Sequence, residues 1–203
     1  KAWIGLYDDL VNGWRWSLNT SSFYGIGETE FRNWNVTQPD NLNGQQYCVA
    51  LLTGSPYFGT WVDVSCSIQN PFICYSGSIN GTASFVKITQ NASWYDAQKF
   101  CRENYVDLAS IRNQTENAAI TTLAGPDFVW IGLHRDKQWS DGSPSGFRHW
   151  APGQPDSGRE ECVTTALNNS GLWSDESCSL SFPFICYKPS NVPCIVSFYS
   201  HTS

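Results

Sequence analysis

Short apolar runs separated by polar, glycine-rich and proline-rich stretches recur along the chain, which is typical of short strands joined by long loops. The first run covers residues 2–7, and others follow at residues 47–52, 71–75 and 85–88. We predict a strand at each of these places. No apolar run reaches the roughly 20 residues that a membrane-spanning helix needs, so the sequence predicts no membrane segment.

After residue 92, the apolar positions recur with the spacing of a helix. Ser93 and Asp96 have the spacing of a capping box, which favours a helix start at Ser93. Four positions that share one face of this helix are apolar: Trp94, Ala97, Phe100 and Cys101.

A second helix is predicted to begin near Asn113 and to end at Gly125, since glycine favours the backbone that terminates a helix. Ile120 and Leu123 are expected to point inward. The central third of the chain therefore carries both predicted helices.

An internal repeat organises the chain. Trp3-Ile-Gly-Leu6 returns as Trp130-Ile-Gly-Leu133, and Gln38-Pro-Asp40 returns as Gln154-Pro-Asp156. Phe31-Arg-Asn-Trp34 likewise returns as Phe147-Arg-His-Trp150. Three cysteines of the first copy recur in the second, the last two at the same offset of 112 residues: Cys48, Cys66 and Cys74, then Cys162, Cys178 and Cys186.

These copies predict a division of the chain. Residues 1–75 would be the C-terminal part of a first unit, and residues 85–187 a complete second unit. The small, polar residues 76–84 have the composition of a linker. Residues 188–203 would be a tail, because residues 195–203 resemble residues 85–93, the first strand and helix cap of a unit.

Composition narrows the function classes. The 203 residues suffice for one large or two small domains, and a net charge of −6 argues against a nucleic-acid partner. Eight cysteines favour disulfides and an oxidising compartment. Six Asn-x-Ser/Thr glycosylation signals point to a secreted glycoprotein: Asn19, Asn35, Asn80, Asn91, Asn113 and Asn168.

The sequence carries no motif of an enzyme. His134, His149 and His201 stand apart from one another, in no metal-ligand or triad spacing. Glu160 and Glu161 are adjacent acids, but neighbours on a strand point to opposite faces. We therefore predict that the chain is not an enzyme.

Oxygen-bearing side chains gather in the last third of the chain. Ca²⁺ takes six to eight oxygen ligands from carboxylates, amides and carbonyls. Five candidates on two loops beside Cys162 and Cys178 could form such a cage: Gln154, Asp156, Glu160, Ser174 and Asp175. A cis Gln154–Pro155 bond would help to hold the first loop in shape.

Several of these motifs together resemble the C-type lectin-like domain. The match in order and spacing rests on Trp130-Ile-Gly-Leu133, Gln154-Pro-Asp156, Trp173-Ser-Asp175 and Phe184-Ile-Cys186. The resemblance implies an α+β fold with a long loop region, stapled by disulfides. The repeat then implies two tandem domains, of which the first lacks its N-terminal strand and helices.

The resemblance also implies a ligand site in the second unit. In that family the matching positions bind Ca²⁺ and sugar hydroxyls together, and a Gln-Pro-Asp tripeptide is associated with galactose-type ligands. Gln154, Asp156, Glu160 and Asp175 match, whereas Ser174 stands where the family has asparagine. Many relatives keep these loops without metal, as plain surface loops, and no aromatic ring follows Asp156 to stack on a galactose.

The first unit departs further from the family pattern. Gln38, Asp40 and Asp63 are kept, but Gln46 replaces a glutamate and Val62 replaces the asparagine. We therefore expect no ion there. Tryptophans occur at equivalent places of both copies and are read as core packing rather than as sugar-stacking rings: Trp3, Trp34, Trp61, Trp130, Trp150 and Trp173.

The resemblance implies the disulfides Cys48–Cys66, Cys162–Cys178 and Cys101–Cys186. Cys74 is then left without a helix cysteine in its own unit. Either another polypeptide or a further segment supplies a strand, two helices and a cysteine, or Cys74 pairs with Cys194. Completion by other copies, head to tail, could propagate into a filament.

Three functions follow in order of preference. The first is a secreted or extracellular carbohydrate-recognition protein whose partners are glycans or glycoproteins, with Ca²⁺ in the second unit. The alternative is a calcium-independent structural or assembly glycoprotein built from lectin-like domains. An ice-binding relative of the fold is a third reading.

Overall fold

The computed structural model describes residues 1–186, so that Cys194, His201 and the predicted tail lie outside the described residues. Two helices are present, α1 (Trp94–Asn104) and α2 (Gln114–Ala124). Eleven strands accompany them: β1 (Ala2–Tyr7), β2 (Arg15–Trp16), β3 (Cys48–Leu51), β4 (Trp61–Val64), β5 (Asn70–Ile79), β6 (Thr82–Ala92), β7 (Asp107–Leu108), β8 (Val129–His134), β9 (Gln138–Trp139), β10 (Cys162–Ala166) and β11 (Leu172–Glu176).

The strands form two sheets. The larger has the order β4-β3-β8-β5-β6, with β2 beside β8 and β7 beside β5. The smaller has the order β11-β10-β1-β9. The larger sheet is mixed and the smaller one antiparallel, and together with two helices they agree with the α+β class and with the fold that the sequence resemblance implied.

The two copies of the repeat exchange their Trp-Ile-Gly-Leu strands. β8, from the second copy, pairs with β3 of the first, where Ala50 lies opposite Trp130. β1, from the first copy, pairs with β10 of the second, where Thr164 lies opposite Trp3. Ala50 and Thr164 hold equivalent positions after their cysteines, so the exchange keeps the register. The sheets therefore do not follow the repeat boundaries that the sequence suggested.

The first unit is completed within the same chain. β6 extends the larger sheet beside β5, both helices follow it, and Cys101 of α1 forms a disulfide with Cys74. The sequence correctly indicated that a strand, two helices and a cysteine were needed. The expectation that another polypeptide or a further segment supplies them is wrong for this structure, because residues 82–124 do so.

Residues 76–84 are a β-hairpin rather than a linker. β5 and β6 pair in antiparallel register up to Ile79 opposite Thr82, and Asn80-Gly81 makes the turn. Both turn residues have positive φ, 50° and 81°, which glycine and asparagine tolerate best. A tight hairpin brings the helices back to the preceding strand at a small cost in loop entropy.

Both helices begin where the sequence predicts. The Ser93 side chain accepts a hydrogen bond from the Asp96 backbone N–H, and Asn113 does the same for Glu116. Gly125, at φ 65°, follows the end of α2. Leu123 is exposed, contrary to the prediction, because Ala124 takes the buried place beside Ile120.

Two of the three disulfides that the resemblance implied are present. Cys48 pairs with Cys66 and Cys162 with Cys178. The pairing of Cys101 with Cys186 is wrong, because the helix that carries Cys101 packs on the first copy. Cys186 is exposed and forms no disulfide within residues 1–186.

The prediction that the six repeated tryptophans pack in the core is confirmed in part. Trp61 and Trp130 are fully buried and Trp173 nearly so, each in a different apolar cluster. Trp3, Trp34 and Trp150 are only partly buried. No helix within the described residues has the length and apolar character to cross a membrane.

The end of the second copy is less covered than its equivalent in the first. Phe72 and Ile73 in β5 are 1% and 0% exposed, beneath the helices and β6. Phe184 and Ile185, which hold the same places in the repeat, are 73% and 51% exposed. The segment that contains α1 and α2 therefore covers this surface in the first copy and leaves the equivalent surface of the second copy exposed.

Candidate metal centre

The Gln154-Pro-Asp156 loop is held against β11 by Asp175. The Asp175 carboxylate accepts hydrogen bonds from the backbone N–H groups of Asp156, at 3.1 Å, and Ser157, at 3.3 Å. In return, the Asp175 N–H donates to Gln154 Oε1 at 3.1 Å. The Gln154–Pro155 bond is cis, as predicted. These contacts fix the loop beside the strand end.

Three carboxylates converge at this loop. One oxygen each of Asp156, Glu160 and Asp175 lies within 4.8 Å of the others. Asp175 is buried, Glu160 half-buried and Asp156 exposed, so that the cluster opens from the protein to solvent. Within residues 1–186, no side-chain nitrogen of lysine, arginine or histidine approaches these carboxylates within 4.0 Å.

The cluster is electrostatically unfavourable without a cation. Burial raises the pKa of Glu160, and the neighbouring Asp175, Glu176 and Asp156 raise it further. Burial also raises the pKa of Asp175, although the two backbone N–H donors oppose the shift. A divalent cation would relieve both the burial cost and the mutual repulsion. The donor set therefore fits Ca²⁺.

Ser174 and Gln154 are placed differently from the three acids. The Ser174 hydroxyl contacts Thr164 Oγ1 at 3.0 Å and donates to Glu176 at 2.9 Å. Gln154 Oε1 accepts from the Asp175 backbone, as described above, and retains a second lone pair. Of the five predicted ligands, the carboxylates of three thus lie together, with the Gln154 oxygen bonded beside them.

The first copy has the same loop architecture with fewer acids. Asp63 accepts from the backbone N–H groups of Asp40, at 3.1 Å, and Asn41, at 2.8 Å, as Asp175 does in the second copy. The Gln46 side chain accepts from the Leu42 N–H instead of offering a carboxylate. Burial raises the pKa of Asp63 here too. Within residues 1–186, a cluster of three acids occurs only in the second copy.

The two tripeptide loops touch each other, which the sequence did not indicate. Asn41 Nδ2 donates to Gly158 O at 3.5 Å, and Gln45 Nε2 donates to Pro155 O at 3.4 Å. A β-carbon on Gly158 would lie 2.2 Å from Asn41 O, so only glycine permits this approach.

We predict that Gly158→Ala pushes the loops apart. The clash is with backbone, which cannot rotate away, so the expected loss is about 1–3 kcal/mol of the free energy of unfolding. Gly146→Ala is the control, because its added carbon would meet nothing within 4 Å. Urea denaturation measures both variants, and equal stability of the two would contradict the contact.

Comparison with known proteins agrees with these motifs. The sequence model described as "Lectin C-type domain" matches residues 1–76 and 90–188. The chain belongs to the C-type lectin domain family. Membership of a lectin family agrees with the sequence prediction that the chain is not an enzyme.

Three relatives illustrate the range of the family. "Lectin" of Pleurodeles waltl is 36% identical over 118 residues, which cover 51% of this chain and 69% of that protein. "C-type mannose receptor 2" of Mus musculus is 35% identical over 107 residues, 49% of this chain but 7% of the receptor. "Versican core protein" of Rattus norvegicus is 33% identical over 104 residues, 47% of this chain and 4% of that protein. The chain thus spans only a small part of the two larger relatives.

Sequence reasoning missed a buried charge cluster next to this site. Arg135 and Lys137 approach the two oxygens of the Asp8 carboxylate at 3.0 and 3.3 Å. Asp8 directly follows β1, whereas Arg135 and Lys137 follow β8. The ion pairs therefore depend on the exchange of the two strands. Arg135 and Lys137 lie 127 and 129 positions after Asp8 in the sequence, and no local sequence pattern indicates contacts over such separations.

Proposed function

We propose that the chain is a secreted glycoprotein that recognises glycans through Ca²⁺ held by the second copy of the repeat. The observation that carries this proposal is the convergence of the Asp156, Glu160 and Asp175 carboxylates beside the Gln154-Pro-Asp156 loop. Membership of the C-type lectin domain family supports it. The three disulfides fit an extracellular protein.

The residues of the site would divide the work. Asp156, Glu160 and Asp175 would hold the ion, and the open coordination positions of Ca²⁺ would accept a pair of sugar hydroxyls. Asp175 also fixes the loop backbone, so that the loop is shaped before the ligand arrives. Gln154 and Asp156 would hydrogen-bond to the same hydroxyls. The Gln-Pro-Asp tripeptide makes galactose the first sugar to test.

Calorimetric titration with Ca²⁺, followed by galactose and mannose in saturating Ca²⁺, tests the proposal. We expect one Ca²⁺ per chain and sugar binding that EDTA abolishes, with galactose bound more tightly. A chain that takes up no Ca²⁺ at millimolar concentration would overturn the metal site. Equal binding of both sugars would overturn the assignment of galactose.

The affinity for Ca²⁺ is predicted to fall with pH earlier than at a site of ordinary carboxylates. Burial raises the pKa of both Glu160 and Asp175, so these groups take up protons above their usual range and compete with the ion. Without Ca²⁺ the same shifts favour folding as the pH falls through the raised pKa. Calcium titrations at falling pH check the affinity, and urea denaturation in EDTA checks the stability; an affinity that falls no earlier than at a site of ordinary carboxylates would contradict the prediction.

Glycosylation is predicted to differ among the six signals. Asn19, Asn80, Asn91 and Asn168 are exposed, whereas Asn113 caps α2 through its side-chain oxygen and Asn35 is half-buried. We therefore expect glycans on the exposed four in a secreting cell, with Asn35 and Asn113 occupied least. Peptide mass spectrometry after enzymatic deglycosylation reads each site, and an empty exposed set would contradict secretion through the glycosylating pathway.

Self-assembly is a second candidate, supported by the bare end of the second copy. Phe184 and Ile185 are exposed where their equivalents Phe72 and Ile73 are buried, and such a patch favours contact with another molecule. Head-to-tail contact between copies would cover it without Ca²⁺. Light scattering across a concentration series tests this idea, which predicts growing particles that Phe184→Ser returns to monomers.

A further inference from the structure

A cleft of about 510 Å³ lies between the two sheets, apart from the carboxylate cluster. Tyr47, just before β3, and Tyr95, on α1, line it from the side of the larger sheet. Trp150, which bridges to β11, lines it from the side of the smaller sheet. Such flat ring faces are suited to stacking on the apolar face of a sugar ring.

Serine hydroxyls accompany these rings on the wall of the cleft. The Tyr47 ring lines the cleft, whereas its hydroxyl oxygen is buried. Ser65 and Ser67 bring hydroxyls 2.9 Å apart to the same wall. Each serine hydroxyl can both donate and accept, so the pair can also bond to the hydroxyls of a sugar.

The charge around the cleft is positive in a chain whose net charge is −6. Lys137, Arg148 and Asp136 line it, and an adjoining groove of about 600 Å³ shares these three and adds Arg15. Arg148 and Arg15 thus face one carboxylate, Asp136, on this surface, while Lys137 is buried at 7% exposure. Lys137 and Arg135 both form ion pairs with Asp8. The three side chains together therefore carry one positive charge.

Two of these cations are fixed in position. Arg148 donates to the carbonyls of Ser145, Phe147 and Lys137, and within residues 1–186 no carboxylate lies within 4.0 Å of it. Lys137 Nζ lies 5.8 Å from the centre of the Trp150 ring. In the first copy a ring occupies the corresponding place, since Trp14 packs at 4.9 Å on Trp34. The second copy therefore presents a cation beside its tryptophan.

We infer that this cleft binds an anionic saccharide without Ca²⁺, with the sugar ring against Tyr95 and Trp150 and its acidic group facing Arg148 and Arg15. The cleft adjoins the loop of the carboxylate cluster at Pro155, but none of the three clustered carboxylates lines it. It adds a calcium-independent subsite for a charged sugar to the neutral sugar site proposed above. Binding should weaken with salt, because part of it is electrostatic.

The test compares N-acetyllactosamine with its 6-sulfated form, titrated calorimetrically into the protein in EDTA. The sulfated sugar is expected to bind about tenfold more tightly, since hydrogen bonds to charged groups are the stronger kind. Tyr95→Ala, a change at a side chain 51% exposed, should weaken it about tenfold. Arg15→Gln should weaken only the sulfated form, and Asp136→Asn should strengthen it.

Tyr57→Ala provides the matched control, because Tyr57 is 48% exposed and does not line the cleft. Glu160→Gln separates this inference from the proposed function, since it removes one of the three clustered carboxylates, and with it Ca²⁺ binding, while Asp175 still holds the loop beside the cleft. No binding in EDTA, equal binding of the two sugars, or equal effects of the two tyrosine variants would overturn the inference. Sugar binding that needs Ca²⁺ and Glu160 would overturn it while supporting the proposed function.

Discussion

Replacing Cys101 by serine is expected to lower the free energy of unfolding by about 2–5 kcal/mol, the usual effect of removing a disulfide from a small secreted domain. The Cys74–Cys101 bridge closes a separation of 27 residues and ties α1 to β5. Both sulfur-bearing residues are fully buried, so the change also leaves a hydroxyl without a partner in an apolar cluster. Urea denaturation of the oxidised protein measures the loss.

Cys186→Ser is the matched control for this prediction. Its side chain is exposed and makes no disulfide within residues 1–186, so we expect almost no change in stability. If Cys101 were instead joined to Cys186, as the resemblance implied, Cys186→Ser would lower the stability as much as Cys101→Ser. Peptide mapping without reduction decides the question directly: a peptide linking Cys101 to Cys186 would contradict the strand exchange.

The local elements were predictable because short-range rules decide them. Ser93 and Asn113 cap their helices through their own side chains, and Gly125 follows α2, as their sequence spacing indicated. Residues 2–7, which were predicted as a strand, are β1. The hairpin at Asn80-Gly81 carried a known turn signal, but the small, polar residues around it favoured a linker instead.

The arrangement of these elements was not predictable, for a reason that lies in the repeat itself. Trp3 and Trp130 are each the second residue of a strand, and the two strands have nearly the same sequence. Trp3 lies opposite Thr164 and Trp130 opposite Ala50, so that either strand fits beside either partner in the same register. The local sequence pattern therefore does not distinguish the pairing of each strand within its own copy from the exchanged pairing. The short hairpin after β5 favours the observed one, because it delivers the helices to the first copy.

The candidate metal centre was predictable in its acids and less so in its surroundings. Asp156, Glu160 and Asp175 come together as the spacing of the loops indicated. The contact of Gly158 with Asn41 and the lining of the cleft by Tyr95 depend on how the two sheets meet. Residues that are far apart in sequence and carry no motif give no signal of such contacts.

The largest effect on ligand binding is expected from Asp175→Asn, which should abolish the response of the protein to Ca²⁺. The amide keeps one acceptor for the loop N–H groups of Asp156 and Ser157 but removes the buried charge from the cluster. In the wild type, Ca²⁺ at 100 times its dissociation constant would add about 2.7 kcal/mol to the free energy of unfolding. The variant should show none of this gain.

Asp63→Asn is the internal control for that variant, because Asp63 makes the same two backbone contacts in the first copy without a third acid nearby. Both substitutions should lower stability in EDTA by a similar amount, about 1–3 kcal/mol, since each weakens a buried hydrogen-bonded loop. Only Asp175→Asn should then lose the upward shift of the melting temperature in Ca²⁺. A shift that survives Asp175→Asn, or that disappears with Asp63→Asn, would place the ion elsewhere, because the two aspartates differ in the neighbouring carboxylates rather than in their role in the loop.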